Sequence, residues 1–167
     1  MTVQWFARLS PGTQTNFKTD LSWDDVGMIR DATGLPVVVK GITRAEDARA
    51  AIKAGASAVQ VSNHGGRALD GTPASITVLP SIADEVKGEV PIILDSGIRR
   101  GTDVVKALAL GANAVAIGRP LMFGLVLGGA SGLDSVIRYF HRETVDTVLH
   151  CGVDRIGDLG AAHVRHI

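Results

Sequence analysis

Hydrophobic positions along this chain fall into short apolar runs separated by longer stretches of helical periodicity, and the two kinds of segment alternate. Leu35–Lys40 is a β-branched run, apolar on both faces, that predicts a strand of a buried parallel sheet. Ahead of it, Ser22 with Asp25 three residues on predicts a helix start, and Thr33-Gly34 supplies its left-handed stop. After it, Thr43 with Glu46 predicts a second capping box, opening an Ala-rich helix that runs to Gly55. The same unit then recurs: strands are predicted over 58–61, 91–94 and 114–117, and helices over 73–86, 102–110 and 133–149. Residues 1–21 mix Ser, Thr, Gln, Gly and Pro without periodicity and read as an irregular segment.

An internal echo supports this reading, because Ala54–Val61 repeats the pattern of Leu110–Ile117. Regular alternation implies parallel strands joined by right-handed crossovers. Open doubly wound sheets and closed barrels both satisfy that rule, and periodicity does not choose between them. The polar and Gly-rich residues all follow the strands: Lys40-Gly41, Ser62–Arg67, Asp95–Gly101 and Gly118–Pro120. In a (β/α) barrel those ends converge on one face, where sites are built, but a complete barrel takes about 250 residues. The four units of residues 22–167 are therefore expected to form half of such a barrel, with surface that calls for a partner.

Composition narrows the function classes. With 17 basic and 17 acidic side chains the formal charge is zero, so the long-range attraction of a basic protein for nucleic acid or an anionic membrane is missing. Aromatic residues make up only 4%, too few for a base-stacking platform. The most apolar run, Pro120–Ala130, is short and Gly-rich, which argues against membrane insertion. The lone Cys151 makes no internal disulfide, and no Cys/His spacing suits a metal; a cytoplasmic location is expected. Cys151, the late histidines, Trp5, Trp23 and Tyr139 read as surface or packing residues.

Candidate chemistry lies at the strand ends. Gly65-Gly66 and Gly97 allow close approach to a ligand, and Gly118-Arg119 offers backbone amides and a cation for a phosphate. His64 and Arg67 could present a near-neutral base and a carboxylate-matching fork to one pocket. Plain turns and a solvated surface pair satisfy the same spacing equally well. Lys40, closing an apolar strand, calls for an anion or carbonyl, or else snorkels to the rim.

The blocks Val38–Ile42, Val61–Gly71, Leu94–Gly101, Ala107–Gly111 and Ile117–Pro120 closely resemble the FMN-dependent L-2-hydroxy-acid oxidases and dehydrogenases. Gly124–Gly129 and Gly132–Ile137 look most like the L-lactate oxidases among them. The resemblance runs from about Ser22 to the end and implies the carboxyl-terminal half, strands five to eight, of a TIM barrel. It implies FMN as cofactor, with Lys40 stabilising the reduced ring, Ser62 contacting the flavin, and Asp95, Ser96, Gly97, Ile98 and Arg99 holding the ribityl chain and phosphate. Gly118 and Arg119 would complete the phosphate cradle, His64 would be the catalytic base, and Arg67 would pair with the carboxylate of a small 2-hydroxy acid, above all L-lactate. Ser96 stands where many members carry Gly, and Ala68 replaces a usual Gln. The implied partner is a complementing N-terminal half-barrel or a second copy. The alternative is a non-enzymatic half-barrel that binds FMN or phosphate and self-associates. A nucleotide dehydrogenase would need a catalytic Cys loop, and Cys151 is misplaced for that.

Overall fold

The computed structural model describes residues 20–165, so the N-terminal expectation over residues 1–21 falls almost wholly outside the described residues, as do Trp5 and His166. Helix α1 (Asp24–Thr33) ends on Gly34 in the left-handed conformation (φ 64°), and Asp25 Oδ2 accepts the Ser22 amide at 2.7 Å, the cap predicted there. Strands β1 (Val38–Ile42), β2 (Ala58–Val61), β3 (Ile92–Leu94) and β4 (Ala114–Val115) follow, interleaved with α2 (Ala45–Lys53), α3 (Ser75–Val86) and α4 (Gly101–Ala109). The long α5 (Arg119–His150) closes the set.

The strands pair in sequence order, β1-β2-β3-β4, and every pairing is parallel. A doubly wound sheet reverses its strand order at a switch point. Strict succession with right-handed crossovers instead keeps all helices on one side and is the progression of a barrel wall. The molecule therefore carries four consecutive units of the half (β/α)8 barrel expected from the sequence.

One sheet face is packed and the other is open. Val39, Val59, Val61 and Leu94 point to the helical side and join Ala48, Ala51, Leu79, Ile82, Val86 and Ala107 in a continuous core. Burying each of the larger aliphatic side chains contributes about 1.5–3 kcal/mol. On the opposite face Val38 is 40% exposed and Ala114 is exposed as well. The expectation that the strands are apolar because both faces are covered thus holds for one face among the described residues.

Two helix starts differ from the sequence pattern. The N-cap of α2 is Arg44, not Thr43, with extended backbone and no side-chain capping bond; Glu46 pairs instead with Arg44 at 3.4 Å. The apolar run 120–130, to which the sequence pattern assigns no element, is helical from Arg119, with the break at Gly128 (φ −146°) and Gly129 (φ 57°). By length and hydropathy α5 could cross a membrane. Its second half is instead pinned to the barrel wall through buried Phe140 and Val148 and through Glu143, whose carboxylate accepts the Gly101 amide at 2.7 Å. Trp23, expected to pack, is exposed.

The α4–α5 contact depends on Gly101, where a Cβ would lie against the Glu143 and Thr144 backbone, 2.6 Å from the Glu143 carbonyl carbon. Backbone cannot yield as a flexible side chain can. Gly101→Ala is therefore expected to destabilise the fold by about 1–3 kcal/mol, read as a lower urea midpoint with an unchanged slope.

Candidate functional site

The strand tips and the loops beyond them enclose a cleft of about 880 Å³, within the range of cofactor sites. Lys40, His64, Arg67, Asp95, Ser96, Gly97, Ile98, Arg99, Gly118 and Arg119 all line it, so nearly every residue singled out in the sequence meets there. Ser62 does not. It is only 1% exposed and lies behind Lys40, whose ammonium donates to its hydroxyl at 2.8 Å.

Lys40 lies on the open face of β1, and a bulge follows it directly. It pairs with Gln60, but Ile42 pairs with Val61, so Gly41 is the extra residue, with φ 102°. A Cβ on Gly41 would sit 3.2 Å from His64 Cε1, so the glycine is also what lets the imidazole lie across the strand tip. Lys40 makes an ion pair with Asp95 at 3.0 Å, and both side chains are largely withdrawn from solvent. The same Asp95 oxygen accepts the Gln60 amide at 2.6 Å, while its other oxygen accepts the Ser96 hydroxyl at 2.7 Å.

His64 opens a short 3-10 turn in the left-handed region, φ 57°, and Ser96 is there too, φ 72°. Such backbone costs on the order of 1–3 kcal/mol and persists only where neighbours enforce it. The enforcing bonds are visible: the His64 amide donates to Ser62 Oγ at 3.1 Å and the Gly65 amide to Ser96 Oγ at 3.0 Å. Below them, the buried Ser75 hydroxyl at the start of α3 donates to the Asp95 and Ser96 carbonyls at 2.5 and 3.1 Å.

The resulting electrostatics suit a base beside anion-binding groups. Burial, then the charge of Lys40, push His64 below the usual imidazole range, with Asp95 opposing them. Its Nε2 is buried and has no hydrogen-bond partner among the described residues. Burial pushes the Asp95 carboxyl up, but hydrogen bonds from Ser62, Ser96 and Lys40 more than offset this and hold it below the ordinary carboxylate range. Arg67, Arg99 and Arg119 line the cleft with no ion pair among the described residues. Arg119 leans on the histidine turn, within 3.3 Å of where a Gly65 Cβ would be.

These features fit a phosphorylated, ring-bearing cofactor. Around Gly97 (φ 88°) and Gly118 the space that a Cβ would enter is open, so main chain lines the cleft there. Gly118 also precedes the N-terminus of α5, whose dipole and free amides favour an anion. Met122 and Phe123, 57% and 62% exposed, form an apolar wall beside it. Those two, with Gln60, went unnoticed in the sequence. Gln60 had a signal, being the one polar residue inside the strand Ala58–Val61.

Comparison with known proteins agrees with this geometry. The chain matches the family described as FMN-dependent dehydrogenase over residues 5–166. An L-lactate oxidase of Lactobacillus jensenii is 53% identical over 143 residues, covering 86% of this chain and 35% of that protein. A peroxisomal (S)-2-hydroxyacid oxidase of Arabidopsis thaliana is 48% identical over 149 residues, 89% of this chain and 41% of that one. A mandelate oxidase variant solved with a monooxide FMN adduct superposes with a TM-score of 0.83 at 43% identity, covering 93% of this chain and 49% of that one. The chain thus spans less than half the length of these relatives.

If Lys40 depresses the imidazole as described, proton NMR of the His64 ring will place its midpoint below pH 6.5, and Lys40→Met will move it upward. A midpoint unchanged by that substitution would contradict the electrostatic coupling.

Proposed function

Because the chain belongs to the FMN-dependent dehydrogenase family, we propose that it supplies the cofactor-cradling half of an enzyme that oxidises an L-2-hydroxy acid, above all L-lactate, to the 2-oxo acid. FMN is the cofactor of the family. The observation that carries the reading is the buried Nε2 of a low-pKa histidine, without a partner among the described residues, in a cleft lined by three guanidinium groups that make no ion pair among those residues.

The overall reaction removes two electrons and two protons from the hydroxy acid, and bound FMN would supply the acceptor for the electron pair together with one of those protons. His64 takes one proton at Nε2, and its depressed pKa keeps it neutral, hence a competent base, at neutral pH. Arg67, exposed at the cleft and in no ion pair among the described residues, offers a bidentate fork to the substrate carboxylate. Arg99 and Arg119, with the glycine-lined turns at Gly97 and Gly118, bind the phosphate end, and Ser96 and Ile98 flank the ribityl chain. Lys40 offsets negative charge on the reduced ring, and Ser62 acts from beneath by holding the ammonium. The lactate preference rests on the 53% identity to an L-lactate oxidase.

The open sheet face and a strand order, β1-β2-β3-β4, that does not close on itself among the described residues support a partner that continues the wall. A chain bearing the remaining four strand-helix units is the partner proposed. The same unclosed sheet favours a second reading, in which two copies associate around FMN without turnover.

Adding FMN to the chain should quench its fluorescence. Anaerobic L-lactate should bleach the bound FMN only when the complementing half is present. Absence of FMN binding with and without that half would sink the reading, and bleaching-incompetent self-association seen by sedimentation would favour the second one. In the complemented protein His64→Ala should abolish bleaching with FMN retained. Arg119→Ala should weaken FMN binding by about tenfold or more, as expected for loss of a charge-assisted hydrogen bond.

A further inference from the structure

Gln60 is not among the residues that the chemistry above uses, yet it occupies the centre of the cluster. It lies in register between Lys40 of β1 and Ile93 of β3, on the open face of the sheet. An amide at such a place costs desolvation unless it is bonded. Its Nε2 donates at 2.6 Å to the single Asp95 oxygen that also holds the Lys40 ammonium at 3.0 Å. One carboxylate oxygen is thereby shared between a neutral donor and a cation. Each donor draws on the same lone pairs, so the amide limits how far Asp95 neutralises Lys40.

We propose that Gln60 is a positioning residue: by bonding Asp95 it fixes the carboxylate and leaves Lys40 with more of its positive charge directed at the cleft. The proposal rests on the assignment of Lys40 to the electron-accepting ring. Removing the amide lets the carboxylate close on the ammonium, and a more neutralised Lys40 stabilises added negative charge on the ring less well. The charged or titratable groups facing Asp95 are Lys40 from β1 and His64 from the turn after β2; the uncharged donors are Ser62, Ser96 and Gln60 itself.

The test has two arms on the full chain, with circular dichroism confirming that each variant is folded. In the first, without FMN, carbon-13 NMR follows the Asp95 carboxyl. Gln60→Leu and Gln60→Met should raise its midpoint by about one pH unit, the tenfold change expected on losing a hydrogen bond to a charged group. In the second, with FMN bound, the midpoint potential should fall in Gln60→Leu, and the fall should vanish when Asp95→Asn is already present. An Asp95 midpoint unmoved by both Gln60 variants overturns the proposal. So does a potential that responds to Lys40→Met but not to Gln60→Leu. A potential that responds to neither overturns the assignment of Lys40 to the ring, and the proposal falls with it.

Discussion

The cluster at the strand tips depends on one constraint: an ammonium inside an otherwise apolar strand must be compensated without being silenced. Lys40 meets it by bonding Ser62 and Asp95, residues of the two following segments, so that a single charge ties β1 to the ends of β2 and β3. A lysine abandoned there would carry an unpaid desolvation cost, and an isolated Asp95 would carry the same cost with opposite sign. Held together they form a partly screened pair that still projects a cation into the cleft. His64 reads this field directly, since the charge of Lys40 lowers its proton affinity while Asp95 raises it.

Backbone geometry supplies the second half of the arrangement. The Gly41 bulge shifts the register of β1 just past Lys40, which clears the room that the imidazole occupies. The left-handed turns at His64 and Ser96 bring both residues to the cleft wall, and serine hydroxyls stabilise both turns. The His64 turn is held both from within its own loop, by Ser62, and from the adjacent one, by Ser96.

Much of this was legible in the sequence, for physical reasons that differ by element. The strands announced themselves because a parallel sheet packed by helices needs continuous apolar runs, as in Val37–Val39 and Ile92–Leu94. The strand-end loops were legible because Gly and charged residues concentrate there, and the cleft gathers Lys40, His64, Arg67, Asp95 and Arg119 as the resemblance implied. Thr43 misled because a capping pattern is only local, and the Arg44–Glu46 pair took the place of the predicted box. The start of α5 was hidden because glycines interrupt its apolar run, whereas only Gly128 and Gly129 leave helical geometry. Ser62 was expected to contact the cofactor directly, whereas it is buried beneath Lys40, an arrangement that depends on the fold of three strands and has no local signature.

The bonds that cross from one loop to the next have a practical meaning for anyone transplanting pieces between related barrels. Barrel loops are often treated as interchangeable modules on a fixed scaffold. Here the segment after β2 takes its shape from a hydroxyl on the segment after β3, and that segment is in turn buttressed by the first residue of α3. A graft of residues 62–67 alone would arrive without its supports; the smallest portable piece runs through Ser96 and includes the intervening helix.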